Sequence, residues 1–161
     1  MKKISFILLF IFLLGCDDSG DSNNSNPIIS GRKVYIVGSD DDGACYWVNG
    51  TRVELPGGDW ATDIVVVDGD VYTTGTCGEY ACYWINQDKY ELPGSWGEGE
   101  AIAVDGNDVY VAGWFMNGSC YWKNGQKINL TTNGESQAFA IGVRSNGSVY
   151  IGGSYINNHH Y

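Results

Sequence analysis

The chain carries the phrase Cys120-Tyr121-Trp122-Lys123-Asn124-Gly125, and the same six-residue pattern stands at residues 45–50 and, with Gln87 in place of the glycine, at residues 82–87. A Val-Tyr-x-x-Gly segment precedes each copy and occurs a fourth time near the C-terminus; these segments begin at Val34, Val71, Val109 and Val149. Successive Val-Tyr pairs are 37, 38 and 40 residues apart. Repeats of this length are typical of solenoids, propellers and other arrays.

Each repeat contains four short stretches that predict β-strands. In the second repeat they are residues 64–67, 71–75, 81–85 and 89–92, and in the third they are residues 101–104, 109–113, 119–123 and 127–130. The first stretch is apolar on both faces, as an interior strand is, and the last alternates polar and apolar residues, as an edge strand does. Asn-Gly and Asp-Gly pairs between stretches are strong hairpin signals. Helical periodicity is missing.

Four antiparallel strands in a repeat of this length describe a propeller blade. Three further stretches, at 34–38, 44–48 and 52–55, precede these repeats, and two more, at 138–143 and 149–153, follow them. We therefore predict an all-β fold over residues 31–161: a β-propeller-like array of four-stranded antiparallel blades, with about three and a half blades in an incomplete ring. Two explanations of the incomplete ring stay open. Either the chain is truncated relative to a longer parent, or several copies assemble to complete the ring. Open blade edges favour self-association.

The N-terminus has the pattern of an export signal. Lys2 and Lys3 precede an eleven-residue run, 4–14, that is apolar except for Ser5 and is too short to span a bilayer, which needs about 20 residues. Residues 1–15 are therefore predicted to be a signal peptide. Residues 16–30 are predicted to be a lipidated cysteine followed by a flexible tether, because residues 17–26 are polar or acidic throughout.

The ending Leu13-Leu14-Gly15-Cys16 resembles the lipobox of bacterial lipoproteins. Together with the three Cys-Tyr-Trp phrases and the four Val-Tyr-x-x-Gly segments, it makes the chain resemble uncharacterised bacterial lipoproteins that carry Cys-Tyr-Trp-x-Asn-Gly β-propeller-like repeats over residues 31–153. The resemblance implies that Cys16 is lipidated on its sulfur, with acyl chains such as palmitate, and tethers the domain to a membrane of the cell envelope. The acidic pair after Cys16 resembles lipoprotein sorting signals. We expect the outer membrane or cell surface, with the inner membrane as the alternative.

The net charge indicates which classes of binding partner are disfavoured. Without Lys2 and Lys3, seven basic residues face nineteen acidic ones, so the formal charge is −12. Such an acidic surface argues against nucleic acid and against anionic lipid headgroups as binding partners. The membrane partner is therefore expected to be reached through the lipid anchor, and neither cofactor nor metal is expected.

Four cysteines lie inside the repeat region. Cys45, Cys82 and Cys120 occupy equivalent positions and are predicted to be small buried hydrophobic residues. Cys77 precedes Cys82 by five residues. We expect two free thiols here; the alternative is a strained local bridge in an oxidising compartment.

The predicted strand order places two sets of connections at opposite ends of the sheets. One set consists of tight Asp-Gly and Asn-Gly turns, whereas the other is predicted to be long and variable, at residues 39–43, 76–80 and 114–118 and at residues 56–63, 93–100 and 131–137. Variable loops on a rigid scaffold are where binding usually occurs. The candidate ligand-binding residues in this second set are Trp60, Trp96, Trp114, Phe115, Tyr80 and Glu79. Aromatic rings among carboxylates suit a sugar or a peptide. The alternative is that Trp60 and Trp96 fill the gap between blades.

No catalytic residue is assigned. The only histidines, His159 and His160, lie at the C-terminus, and residues 40–42 lack the alternating spacing of a calcium loop. We expect a membrane-anchored, non-catalytic binding module for extracytoplasmic protein or glycan. One alternative is a glycan-active hydrolase or lyase using the carboxylates of Glu79, Glu98 and Glu100; another is a truncated remnant without autonomous function.

Overall fold

A computed structural model of the protein describes residues 32–94, 96–116, 118–131 and 135–156. The described residues form thirteen strands and no helix. The strands are β1 (Tyr35–Asp40), β2 (Gly43–Val48), β3 (Thr51–Glu54), β4 (Trp60–Val67), β5 (Asp70–Cys77), β6 (Tyr80–Ile85), β7 (Asp88–Glu91), β8 (Gly97–Asp105), β9 (Asp108–Phe115), β10 (Gly118–Lys123), β11 (Gln126–Asn129), β12 (Glu135–Val143) and β13 (Val149–Ile156). The all-β prediction is confirmed.

The strands pair with their neighbours along the chain into four antiparallel sheets. The first sheet is β1-β2-β3, the second β4-β5-β6-β7, the third β8-β9-β10-β11 and the fourth β12-β13. None of these sheets closes on itself. Each full repeat of the sequence therefore corresponds to one four-stranded meander, and the arrangement of the meanders as propeller blades stays a prediction.

The asparagine of each Cys-Tyr-Trp-x-Asn phrase holds its hairpin to the neighbouring strand. Asn49, Asn86 and Asn124 all take a left-handed backbone conformation, with φ of 50°, 58° and 50°. Asn124 N donates to Val109 O at 2.9 Å, and the Asn124 side-chain oxygen accepts from Val109 N at 2.8 Å. Asn49 makes the same pair of bonds with Val34, and Asn86 with Val71. Because asparagine tolerates positive φ and carries its own acceptor, one residue makes the turn and closes the sheet.

The glycine of Val-Tyr-x-x-Gly is explained by a bulge in the preceding strand. In the second sheet the register of β4 and β5 shifts between Ala61 and Asp63, opposite Gly75. A β-carbon on Gly75 would lie 1.9 Å from the carbonyl oxygen of Trp60, and one on Gly113 would lie 2.0 Å from that of Glu98. Side chains are therefore excluded at these positions by close backbone approach.

Successive sheets pack face to face, and the repeated phrase supplies both faces. Cys82 and Trp84 contribute to a core with residues of the first sheet, whereas Tyr83 contributes to the next core with residues of the third. The indole Nε1 of Trp84 donates to the carbonyl of Pro56 at 3.2 Å, and that of Trp122 donates to the carbonyl of Pro93 at 3.0 Å. Each tryptophan thus bonds the loop that ends the preceding sheet. Of the three phrase tryptophans, Trp84 and Trp122 are fully buried core residues, whereas Trp47 is partly exposed.

Several predicted loops are shorter than expected. The connections predicted at residues 39–43 and 76–80 are two-residue turns, and in the segment predicted at 114–118 β9 continues to Phe115 and β10 begins at Gly118. Likewise β4 begins at Trp60 and β8 at Gly97, inside segments predicted to be loops. The bulges explain the error, since an extra residue interrupts the alternating pattern by which a strand is recognised. The predicted variability therefore lies in the five-residue segments between sheets.

The expectation of two free thiols at Cys77 and Cys82 is wrong, because the structure places them in a disulfide with Cα atoms 6.0 Å apart. The two residues lie diagonally across the β5–β6 pair, where Cys82 is opposite Gly75 and Cys77 is opposite Tyr80. A diagonal pair on one sheet face lies within the distance that a disulfide spans. Cys45 and Cys120 are buried and free, as predicted. Burial raises the pKa of Cys120 to about 12, so this thiol stays protonated and unreactive.

Candidate binding edge

Four exposed apolar side chains lie at the ends of the second and third sheets, and we call Trp60, Tyr80, Trp96 and Met116 the aromatic edge. Backbone hydrogen bonds bring their segments side by side. Gly78 N donates to the Asp59 carboxylate at 2.5 Å, which joins the start of β4 to the β5–β6 turn. Gly97 N donates to Glu79 O at 3.2 Å, which joins that turn to the start of β8, and Met116 N donates to Trp96 O at 2.8 Å.

The two tryptophans of the aromatic edge are open to solvent. Trp60 is 52% exposed and Trp96 is 61% exposed. Such values exclude the alternative that these two residues fill the gap between sheets. Indole rings that project from a rigid sheet end lose little conformational entropy when they bind, which is why tryptophan is favoured in binding surfaces.

The backbone of the aromatic edge is strained at two adjacent positions. Trp96 and Met116 have φ of 56° and 44°, in the left-handed region that bulky residues avoid. Each such residue costs on the order of 1–3 kcal/mol and persists only where its surroundings fix it. Here the fixing contact is the bond between the Met116 amide and the Trp96 carbonyl. Both side chains are exposed, at 61% for Trp96 and 60% for Met116.

Two predicted binding residues have internal partners instead. The Trp114 indole Nε1 donates to Glu100 Oε1 at 3.2 Å, and the ammonium of Lys127 lies 3.2 Å from the centre of the Phe115 ring. Both rings are only partly exposed. Trp114 and Phe115 are therefore not part of the exposed surface of the aromatic edge. Glu79 lies in the exposed β5–β6 turn, and Tyr80 begins β6 directly after it with its side chain exposed.

A pair of partly buried carboxyl groups lies on β8 beside the aromatic edge. Burial raises the pKa of Glu98, and the charge of Glu100 raises it further. Burial also raises the pKa of Glu100, although the hydrogen bond from Trp114 opposes the shift. Desolvation disfavours the charged form of a carboxyl group, so both glutamates hold their protons to a higher pH than exposed glutamates do.

Met116 and Asp59 are the site residues that sequence reasoning missed. Met116 lies at the tip of the β9–β10 turn, and Asp59 anchors the β5–β6 turn through its carboxylate. Each lies within a segment that was predicted to be a loop, but no residue pattern marks either of them. Only the pairing of neighbouring sheets brings them to the edge.

The remaining sequence candidates contribute no ligand site. The Asp40 carboxylate pairs with Arg52 at 2.6 Å, which holds the pKa of Asp40 down at about 2. Among residues 32–94, 96–116, 118–131 and 135–156, no three His, Cys, Asp or Glu side chains group closely enough to hold a metal ion. The same part of the chain contains no helix long and apolar enough to cross a membrane. Cys16, the tether and the two histidines lie outside the described residues.

Comparison of the chain with protein-family models, with curated proteins and with solved structures found no match.

Proposed function

We propose that this protein is a membrane-anchored extracytoplasmic lipoprotein whose four sheets are blades of a propeller-like array and whose aromatic edge binds an extracytoplasmic protein or glycan without catalysis. The lipobox-like ending at Cys16 supports the anchor. The equal number and order of strands in the second and third sheets, together with contacts between their first strands, support the propeller arrangement.

The disulfide supports the extracytoplasmic location independently of the signal sequence. Disulfides persist in secreted and envelope proteins and are rare where thiol reductants are abundant. The Cys77–Cys82 bond lies at the base of the β5–β6 turn, next to Glu79 and Tyr80 of the binding region. An oxidising compartment would therefore also fix the shape of the proposed binding surface.

The observation that carries the binding proposal is the exposure of Trp60 and Trp96 on adjacent, hydrogen-bonded sheet ends. Flat rings stack on the apolar faces of sugars or on peptide side chains, and the neighbouring carboxylates of Asp59 and Glu79 offer acceptors for hydroxyl or amide groups. The strongly acidic surface disfavours polyanionic ligands.

Binding can be tested with the mature chain carrying Cys16→Ala, immobilised against purified envelope glycans and against envelope proteins. We expect Trp60→Ala and Trp96→Ala each to weaken the interaction by about tenfold, as loss of a stacking anchor does. Tyr150→Ala is the matched control, because Tyr150 is equally exposed but lies on the fourth sheet. Binding that survives both tryptophan substitutions would refute the assignment to the aromatic edge.

The raised pKa values of Glu98 and Glu100 favour a second candidate, a hydrolase or lyase that acts on a glycan held at the same edge. A glutamic acid that stays protonated is suited to donate a proton to a leaving group. Release of reducing ends from envelope glycans, abolished by Glu100→Gln and retained in Glu54→Gln, would establish this candidate. No release from any glycan that the protein binds would exclude it.

We also propose that open blade edges of the array support self-association. Among the described residues the fourth sheet contains two strands, whereas the second and third sheets contain four each. Sedimentation velocity of the Cys16→Ala chain over a hundredfold range of concentration should show reversible association. The affinity should be weak, as expected for a small interface formed by strand edges. A single monomeric species throughout that range would contradict it.

A further inference from the structure

Each exposed ring of the aromatic edge has a carboxyl side chain next to it, or two residues from it, in the chain. The pairs are Asp59–Trp60, Glu79–Tyr80 and Trp96–Glu98. Asp59 and Glu79 are exposed, whereas Glu98 is partly buried. Because backbone amides join these three segments to one another, the rings and the carboxyl groups lie together at one end of the two sheets.

The carboxyl groups of these pairs are not neutralised by neighbouring cations. The part of the chain that the structure describes contains three ion pairs: Arg52–Asp40, Lys89–Glu91 and Lys123–Asp108. None of them includes Asp59, Glu79 or Glu98. Burial raises the pKa of Glu98, and the charge of Glu100 raises it further. A cation bound beside the two glutamates would relieve this repulsion between like charges.

The negative charge of the described side chains is concentrated at the end of the sheets that carries the aromatic edge. Eight carboxyl groups lie in the turns or within one residue of the strand ends there: Asp40, Asp41, Asp42, Glu54, Asp59, Glu79, Glu91 and Glu98. Three basic side chains reach the same end, so its formal charge is −5: Arg52, Lys89 and Lys127. At the opposite end five carboxyl groups face four basic residues, so the formal charge there is −1: Asp68, Asp70, Asp88, Asp105 and Asp108 against Arg32, Lys33, Lys123 and Arg144. The field of the molecule therefore attracts cations to the aromatic edge.

Indole rings beside carboxylates suit alkylammonium and guanidinium groups. A cation is attracted to the face of an aromatic ring, most strongly to that of tryptophan, and the aliphatic stem of lysine or arginine packs on apolar surface. Met116, whose amide bonds the carbonyl of Trp96, adds an adaptable apolar contact. The protein contains one such contact already, since the ammonium of Lys127 lies 3.2 Å from the centre of the Phe115 ring. A neutral sugar would gain from the rings but not from the charge.

We propose that the partner of the aromatic edge is a lysine- or arginine-rich segment of another protein, whose cationic groups lie over Trp60 and Trp96. The carboxylates of Asp59, Glu79 and Glu98 supply the opposite charge. This inference rests on the proposed binding function of the edge, and it narrows the ligand from protein or glycan to a basic polypeptide.

Synthetic peptides test the inference on the mature chain carrying Cys16→Ala, with binding measured by fluorescence anisotropy. The probe is a labelled Lys-Gly-Ser repeat peptide, and the same peptide is made with acetyl-lysine, which has no charge, and with trimethyl-lysine, which keeps the charge. We expect acetylation to weaken binding by more than about tenfold and trimethylation to change it by less than about threefold. Affinity for the lysine peptide should fall by about tenfold between about 50 and about 500 mM salt. Equal affinities for the lysine and acetyl-lysine peptides would overturn the proposal.

Two charge reversals provide matched variants. Glu79→Lys places a cation within the aromatic edge and should weaken binding of the lysine peptide by about tenfold. Asp88→Lys makes the same change in net charge at the exposed start of β7, at the opposite end of the sheet, and should weaken binding by less than about twofold. Equal losses in the two variants would show that the peptide responds to net charge alone, and the proposed contact would be refuted.

The tryptophan variants separate this inference from the binding function on which it rests. Loss of peptide binding in both Trp60→Ala and Trp96→Ala would support the proposed contact, whereas peptide binding that survives both substitutions would refute it. An envelope glycan whose binding requires Trp60 and Trp96, with an affinity that neither salt nor Glu79→Lys alters, would also overturn the inference. That last result would leave the binding function of the aromatic edge intact.

Discussion

Interior and terminal copies of the repeat differ in burial although their sequences are nearly the same. Leu92 ends the second sheet and is 2% exposed, whereas Leu130 ends the third sheet and is 44% exposed. At the other end of the array, Val71 is 6% exposed and Val34 is 51% exposed. Leu92 and Leu130 donate the same backbone hydrogen bond, to the carbonyls of Ala81 and Ser119, so their difference comes from the following sheet that covers Leu92. Val71 also pairs with Val66 on β4, a pairing that Val34 does not have among the described residues.

This comparison shows where the stability of the array arises. A single meander cannot bury both of its faces. In a repeat array each sheet buries them by packing against its neighbouring sheets. Trp84 and Trp122 bury their rings and bond the carbonyls of Pro56 and Pro93, because a preceding sheet is present. Trp47 occupies the same position in the first sheet, remains partly exposed and has no hydrogen bond to its indole among the described residues.

The largest expected effect is the contrast between two tryptophan substitutions. Trp84→Ala removes a fully buried ring and its bond to Pro56, and it should lower the free energy of unfolding by about 4 kcal/mol. Trp47→Ala removes a ring with one open face and should cost about half as much. Urea denaturation measures both values. Equal losses would mean that stacking on the preceding sheet contributes little.

Glycine substitutions provide a second contrast. A β-carbon on Gly75 would collide with the Trp60 carbonyl, so Gly75→Ala should cost about 3 kcal/mol. The nearest atom to a β-carbon on Gly38 is in the Trp47 ring, at 3.5 Å, and Gly38→Ala should change the stability by less than about 1 kcal/mol. The two variants can be compared by their thermal midpoints under one set of conditions. A severe loss from Gly38→Ala would show that a bulged strand also approaches the first sheet at this point.

The sequence patterns predicted the strand cores and the Asn-Gly turns because these depend on residues close together in the chain. The value of Asn124 as a turn residue, for example, is visible in its own pair with Gly125. The bulge opposite Gly75, the Trp84 bond to Pro56 and the Cys77–Cys82 bond depend on register and on contacts between sheets. No local pattern contains that information, which is why loop lengths and thiol states were predicted wrongly.

Removal of the Cys77–Cys82 disulfide tests whether the stability of the second sheet comes only from its packing against the neighbouring sheets. Cys77→Ala removes the bond within the β5–β6 hairpin, and the short closed loop predicts a loss of about 2 kcal/mol. Reduction of the parent protein should give the same loss and no further change in the variant. If neither treatment lowers the denaturation midpoint, the bond does not contribute to the stability of the interior sheet.

The smallest effect concerns a difference between the two interior sheets, since β8 carries Glu98 where β4 carries Trp60. The raised pKa of Glu98 means that the folded state binds the extra proton between the ordinary value of 4.5 and its higher folded value. Stability should therefore fall as pH rises through that window and remain lower above it. Glu98→Gln should be more stable than the parent at pH 7, with the difference vanishing below about pH 4.5.

Thermal melts between pH 4 and pH 8 measure this dependence of stability on pH. Glu54→Gln is the control, because Glu54 is exposed at the end of β3, an edge strand of the first sheet. A pH profile that Glu98→Gln leaves unchanged would show that Glu98 is solvated in solution.

Native-state hydrogen exchange at the three phrase tryptophans tests the stacking account most directly. Trp47, Trp84 and Trp122 lie opposite Ile36, Thr73 and Val111, which are the third residues of the Val-Tyr-x-x-Gly segments, so their local bonding is equivalent. At a concentration where sedimentation shows a monomer, we predict that Trp84 and Trp122 exchange at least about tenfold more slowly than Trp47, because each is covered by a preceding sheet. Equal protection at all three amides would contradict the account, since the first sheet would then be as well covered as the interior ones.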